Sequence, residues 1–298
     1  MECRGINKAK CSLLIAMTIF GTVGIFVRYI PLPAATVALC RGVLGLLFLL
    51  GVMAATGKKP QWQKIRKNLW VLLLSGGAMG LNWVFLFESY NHTTVATATI
   101  CYYLAPVFLV LVSPLLGERL TLKKCALCAV ALVGMVFVSG VLDGGLSGGK
   151  GIAFAVAAAA LYATVMFLNK KLGPIDAYDK SIVQLIFAAV VILPYCLLTG
   201  GFGMDQMTGP DYGLLAVVGI VHTGVAYWLY FGALGRLPSQ TVALFSYLDP
   251  VIAIVLSALW LREPLGWQGA LGAALILGST LAGELPAEKM GRKFAKKG

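Results

Sequence analysis

Four ionisable side chains fall where the sequence is otherwise apolar: Arg41, Glu88, His222 and Asp249. An ionisable group within a bilayer costs about 3 kcal/mol or more, so each is a candidate for function. Asp249 directly precedes Pro250. Proline has no N–H, so the Ser246 carbonyl, four residues back, lacks its usual helical donor. A protonated Asp249 can help to satisfy that region. Alternatively, its carboxylate can bind a cationic group of a ligand or take up and release a proton. The matching position of the first half is Ala105, so the repeat itself does not require a charge there. His222 is placed at a similar depth, where a histidine exchanges protons near neutral pH. An Asp249/His222 pair can relay a proton; a neutral histidine bonded to a backbone carbonyl is the alternative.

Arg41 and Glu88 are both expected towards the outer side, where they can pair as a gate or brace. Arg41 can also grip a substrate carboxylate through two N–H donors, and Glu88 can reach out to the interface. Aromatic residues supply candidate walls. Thr99, Tyr102, Tyr103 and Pro106 share one helical face, answered by Ser246, Tyr247 and Pro250 in the second half. Asn82, Trp83 and Tyr227 complete the expected substrate-binding set, and aromatic faces beside a carboxylate suit amines. Trp83, Trp228 and Tyr230 fit an interfacial belt equally well. Pro106 and Pro250 are expected to kink their helices and to act as hinges.

Motifs for other chemistry are missing. There is no HExxH, GxSxG, P-loop or dinucleotide fingerprint in a suitable context, so neither an enzyme nor a cofactor is expected. Cys125-x-x-Cys128 has metal or redox spacing without a second ligand pair, and reads as packing rather than a metal site. Cys40, Cys101 and Cys196 behave as small hydrophobes.

The elements that must hold these residues are membrane helices. The 298 residues are 59% hydrophobic and only 12% charged, about half the charge of a soluble domain. Ten apolar spans are expected, near 11–30, 34–56, 69–89, 93–115, 122–141, 151–168, 178–199, 211–234, 239–260 and 266–283. The start has the basic-then-apolar look of a signal peptide but no convincing cleavage site, and reads as a retained first helix. The net charge of +12 lies in short loops, where it marks topology and meets acidic lipid headgroups rather than nucleic acid.

One passage occurs twice. TATICYYLAPVFLVLVSPL (Thr97 to Leu115) matches TVALFSYLDPVIAIVLSAL (Thr241 to Leu259) at an offset of 144 residues, with Tyr103/Tyr247 and Pro106/Pro250 among the identities. The organisation read from this is a first five-helix repeat over 1–142 and a Gly-rich linker over 143–150. A second repeat over 151–284 and a basic tail over 285–298 follow. Five being odd, the second repeat must run inverted. With both termini cytoplasmic, Arg28, Lys150 and Arg262 face outward and Arg41 is intramembrane. All other Lys and Arg then face inward, as the positive-inside rule requires. The fold class is therefore an all-α integral membrane protein of ten transmembrane helices in two inverted repeats, the usual build of a secondary transporter.

YYLAPVFLVLVSPLLGERLT (Tyr102 to Thr121) and SYLDPVIAIVLSALWLREPLG (Ser246 to Gly266), with Arg41, Gly134 and Gly272, resemble the drug/metabolite transporter superfamily, in particular its EamA-type ten-helix members. The resemblance spans essentially the whole chain. It implies a central cavity built from spans 1–4 and 6–9, with spans 5 and 10 outside. It further implies carriage of amino acids or other metabolites, mostly outward, with Arg41 leaning to a structural role. The expectation is an inner- or plasma-membrane transporter of a small organic metabolite, monomeric or homodimeric, with Asp249 and His222 as proton-coupling candidates. A carrier of choline or a guanidinium compound is the alternative.

Overall fold

The computed structural model describes residues 2–116, 121–138, 148–198, 202–234, 237, 245–246, 248–263 and 265–284. Tyr247, Thr241, Glu118, Pro238, Pro264, most of the linker and the tail lie outside the described residues. Everything regular among the described residues is helical. The helices are α1 (Glu2–Arg28), α2 (Ala34–Ala55), α3 (Trp62–Lys67), α4 (Leu69–His92), α5 (Val95–Tyr102) and α6 (Ala105–Val112). They continue as α7 (Leu122–Val138), α8 (Gly149–Lys170), α9 (Ala177–Leu198), α10 (Gly209–Ala216), α11 (Ala226–Leu234), α12 (Leu248–Trp260) and α13 (Trp267–Glu284). A π-helical stretch, Val217–Val225, joins α10 to α11.

Seven helical stretches are long and apolar enough to cross a membrane, among them Val95–Val112 and Gly209–Ala233. Three shorter apolar helices, Cys125–Val138, Leu248–Trp260 and Trp267–Ala282, accompany them. Three features depart from simple ten-span expectations. The expected span 93–115 is interrupted between Tyr102 and Ala105, because Pro106 has no N–H with which to bond the Tyr102 carbonyl. The expected span 211–234 is wound partly as π-helix. The short α3 has no counterpart among the expected spans; its lone buried side chain is Ile65, too little apolar surface for a periodic signal.

Packing is mainly between the two halves. The principal neighbours are α4 with α8 and α9, α2 with α9 and the π-helix, α1 with α11 and α12, and α5 and α6 with α8. Exchanging the halves maps these pairings onto one another. α7 and α13 pack chiefly on each other, and they cross at Gly134 and Gly272. A Cβ on Gly134 would stand 2.8 Å from the Gly272 carbonyl oxygen, and one on Gly272 would stand 2.5 Å from that of Gly134. Gly269, one turn earlier on α13, lies instead against Leu265 of the preceding loop. Gly76 and Gly80 admit α9, their added Cβ atoms falling 2.6 Å from the Gln184 carbonyl and 3.0 Å from that of Ala188.

Polar contacts gather the loops into two groups. Gln61 N–H donates to Asp179 Oδ2 (3.0 Å), Gly173 N–H to Asn68 Oδ1 (2.8 Å), and Gln184 to both Ser75 and Asn169 (2.8 Å each). The other group holds Arg28, which pairs with Glu263 (3.5 Å). Glu263 Oε2 accepts from the Val95 N–H (3.0 Å) and the Ser257 hydroxyl (2.8 Å).

Candidate functional site

The break at Tyr102–Ala105 turns two adjacent tyrosines into the bundle. Tyr103 donates towards the Ser246 carbonyl (3.2 Å) and Asp249 Oδ2 (3.1 Å). Pro250 offers the Ser246 carbonyl no N–H, and the Tyr103 hydroxyl reaches that carbonyl from the other half of the chain. Pro250 sits in the first turn of α12, and residue 247, where that helix would bend, is outside the described residues. The Asp249 Oδ1 atom has no partner among the described residues, and the residue is partly buried.

Tyr102 stacks on Tyr162 of α8, with ring centroids 5.3 Å apart and planes 21° from parallel, and its hydroxyl reaches Asn82 Oδ1 (3.3 Å). Asn82, only 1% exposed, donates in turn to the Ala158 carbonyl (2.6 Å). It thus holds α4, α5 and α8 together. Thr99 and Tyr90 are both buried. Tyr227 meets Phe20 and Phe231 edge-on at 5.8 and 5.4 Å, so α1 and α11 contribute to the same aromatic lining. Trp228 is 43% exposed, whereas Trp83 is buried.

Arg41 and Glu88 are not brought together. Arg41, 5% exposed, donates from Nε to Thr223 Oγ1 (3.0 Å). Its guanidinium lies over Trp83 (4.4 Å) and Phe87 (5.3 Å). The π-helical winding is what presents Thr223, whose hydroxyl bonds to the Val218 carbonyl five residues back (3.3 Å); such windings recur at functional sites. Glu88 instead bonds to His92 (3.1 Å) and Asn91 (3.3 Å) at the end of its own helix.

His222 and Asp249 are likewise separate. His222 Nε2 contacts Thr22 Oγ1 (2.8 Å) and Nδ1 the Val217 carbonyl (3.3 Å). Thr22 Oγ1 also lies 2.7 Å from the Ile19 carbonyl, so it sits between the α1 backbone and the imidazole. The imidazole, 2% exposed and beside Phe26, links α1 to the π-helix. Tyr90, Tyr162, Thr22 and Thr223 join the site without a distinguishing mark in the sequence. Polar atoms within apolar spans are their only signal there, and many such atoms simply bond to their own helix.

Several findings place the chain among known proteins. The EamA-like transporter family matches it twice, over residues 7–140 and 149–282. It is 30% identical to the uncharacterized transporter YxxF of Bacillus subtilis (strain 168) over 264 residues, 85% of this chain and 82% of that one. An uncharacterized transporter of Vibrio cholerae is 27% identical, covering 90% of each chain. Protein RarD of Streptomyces exfoliatus is 26% identical over 91% of this chain and 89% of its own. One crystal structure shares the fold with a TM-score of 0.65 at 20% identity, covering 95% of this chain and 99% of that one.

Proposed function

The chain belongs to the EamA-like transporter family, and on that premise we propose that it carries a small amino acid or amine by alternating access. It is a multi-pass membrane protein of the drug/metabolite transporter type. The seven long and three shorter apolar helices support ten spans. The sorting of the loops into two groups supports two inverted repeats. The unequal distribution of Lys and Arg supports a cell-membrane location with cytoplasmic termini. Export is the favoured direction.

The observation that carries the reading is the junction of Tyr103 with Asp249 and Ser246. It supports a carboxylate that joins the two halves through Tyr103, whose ring neighbours Tyr102. In this reading Asn82, Trp83, Thr99, Tyr102, Tyr103, Tyr227, Ser246, Tyr247 and Asp249 form the substrate site, with His222 at its edge. Pro106 and Pro250 serve as hinges. Asp249 is the first choice for the coupling proton if transport follows a proton gradient. A second reading, carriage of an organic cation such as choline or a guanidinium compound, draws on the same aromatic rings and carboxylate.

Exchange in proteoliposomes tests the reading. Vesicles preloaded with amino acids or amines should take up the labelled solute without ATP, saturably and only with the protein present. Flux equal to that of empty vesicles for every amino acid, amine and quaternary amine tried would overturn it.

A further inference from the structure

Arg41 is a buried cation without a counter-charge among the described residues. Both salt bridges of those residues lie elsewhere, and its protein partners are Thr223, at Nε, and the rings of Trp83 and Phe87. A guanidinium has five donors, so Thr223 takes one and the terminal nitrogens keep the other four. The side chain is 5% exposed, so little water reaches those donors. Leaving a desolvated charge unpaired is strongly unfavourable; bracing α2 against the π-helix needs a hydroxyl partner but no charge. Asp249 presents the complementary case, with one oxygen held by Tyr103 and the other without a partner among the described residues. Asn82, the residue before the Trp83 on which Arg41 lies, accepts from Tyr102 (3.3 Å), whose ring is 6.5 Å from that of Tyr103, the partner of Asp249, so one polar and aromatic chain links the two charged groups.

We infer that Arg41 is the anion-binding end of the site, and that the transported molecule is a zwitterion whose carboxylate docks on the Arg41 terminal N–H groups while its ammonium faces Asp249. This rests on the transporter reading above and narrows it, because a simple amine or organic cation would leave Arg41 unanswered. The stacking of the guanidinium on Trp83 fixes its plane, leaving the paired terminal donors in the geometry that a carboxylate accepts.

Matched ligand sets test the inference by thermal shift on the detergent-solubilised protein. Each set holds an amino acid, its decarboxylated amine and its deaminated acid: tyrosine, tyramine and 4-hydroxyphenylpropionate; leucine, isopentylamine and 4-methylpentanoate; arginine, agmatine and 5-guanidinopentanoate. The expected result is that at least one amino acid stabilises at about tenfold lower concentration than either of its analogues, since removing one charge-assisted hydrogen-bonded pair weakens binding by that order. Arg41→Gln should erase the preference over the amine, while Arg41→Lys, which keeps the charge, should retain part of it. A purely bracing role would lower the melting temperature in both variants and leave the ligand ratio unchanged. Should Arg41→Gln fail to fold, the wild-type ratios and Arg41→Lys still decide. Amines binding as tightly as their amino acids would overturn the inference and leave the transporter reading standing. No response to any member would tell against the proposed substrate class, and the inference would fall with it.

Discussion

The Tyr103 hydroxyl stands 3.2 Å from the Ser246 carbonyl, the backbone acceptor that Pro250 leaves without its helical donor. A proline-induced defect in one half of the chain is thereby satisfied by a side chain of the other. The same hydroxyl lies 3.1 Å from Asp249 Oδ2, so relief of the defect and orientation of the carboxylate are coupled. Tyr103→Phe should lower stability by about 1 kcal/mol, the net worth of a part-buried hydrogen bond. It should also reduce exchange in proteoliposomes by more than that loss of folded protein explains. Melting curves and flux measured together check this; unchanged flux would show that the junction is structural only.

Asp249 is the intramembrane carboxylate of this junction. Asp249→Asn keeps the shape and the acceptor for Tyr103 but cannot exchange a proton. Solute exchange should therefore persist while dependence on an imposed pH gradient disappears. Flux with and without the gradient makes the comparison, and coupling retained in the variant would remove Asp249 from the proton path.

Glu263 has three partners: the Arg28 guanidinium, the Val95 N–H and the Ser257 hydroxyl. Arg28 is 36% exposed at its side chain, so its share of the pairing is screened and small. Glu263→Ala, which also orphans the Val95 amide at the start of α5, should cost about 1–2 kcal/mol. Arg28→Ala should cost well under about 1 kcal/mol. Thermal melts giving the reverse order would contradict the assignment of Glu263 as the organising residue.

The crossing of α7 and α13 admits no side chain. Gly272→Val would drive a Cβ to 2.5 Å from the Gly134 carbonyl oxygen, an overpacking expected to cost about 3 kcal/mol. Gly278→Ala has open space around its Cβ position and should be neutral or slightly stabilising, by up to about 1 kcal/mol, through helix propensity. Equal melting temperatures for the two variants would refute this crossing point.

The architecture is more legible in the sequence than the site is. Apolar run lengths locate α2, α4 and α9 to within a few residues, because bilayer-length helices are written locally. Pro106 foretells the break after Tyr102, and Pro250 the vacant Ser246 carbonyl, since both follow from a missing N–H. What fills that vacancy is illegible, because Tyr103 lies 143 residues away and only folding brings it near. Charge alone pairs Arg41 with Glu88. Arg41 meets Thr223 instead, through π-helical winding that has no local sequence signature. Depth along a helix suggests an Asp249/His222 relay, but depth leaves the azimuth open, and His222 turns to Thr22 on α1.

The most direct test of the account is access to the site from each face of the membrane. With the native cysteines removed, Ser246→Cys should react with a membrane-impermeant thiol reagent from either side of oriented vesicles. A transported amino acid should protect it from both. Reaction from one side only, or equal labelling with and without ligand, would contradict a substrate site between the two halves that opens to each side in turn.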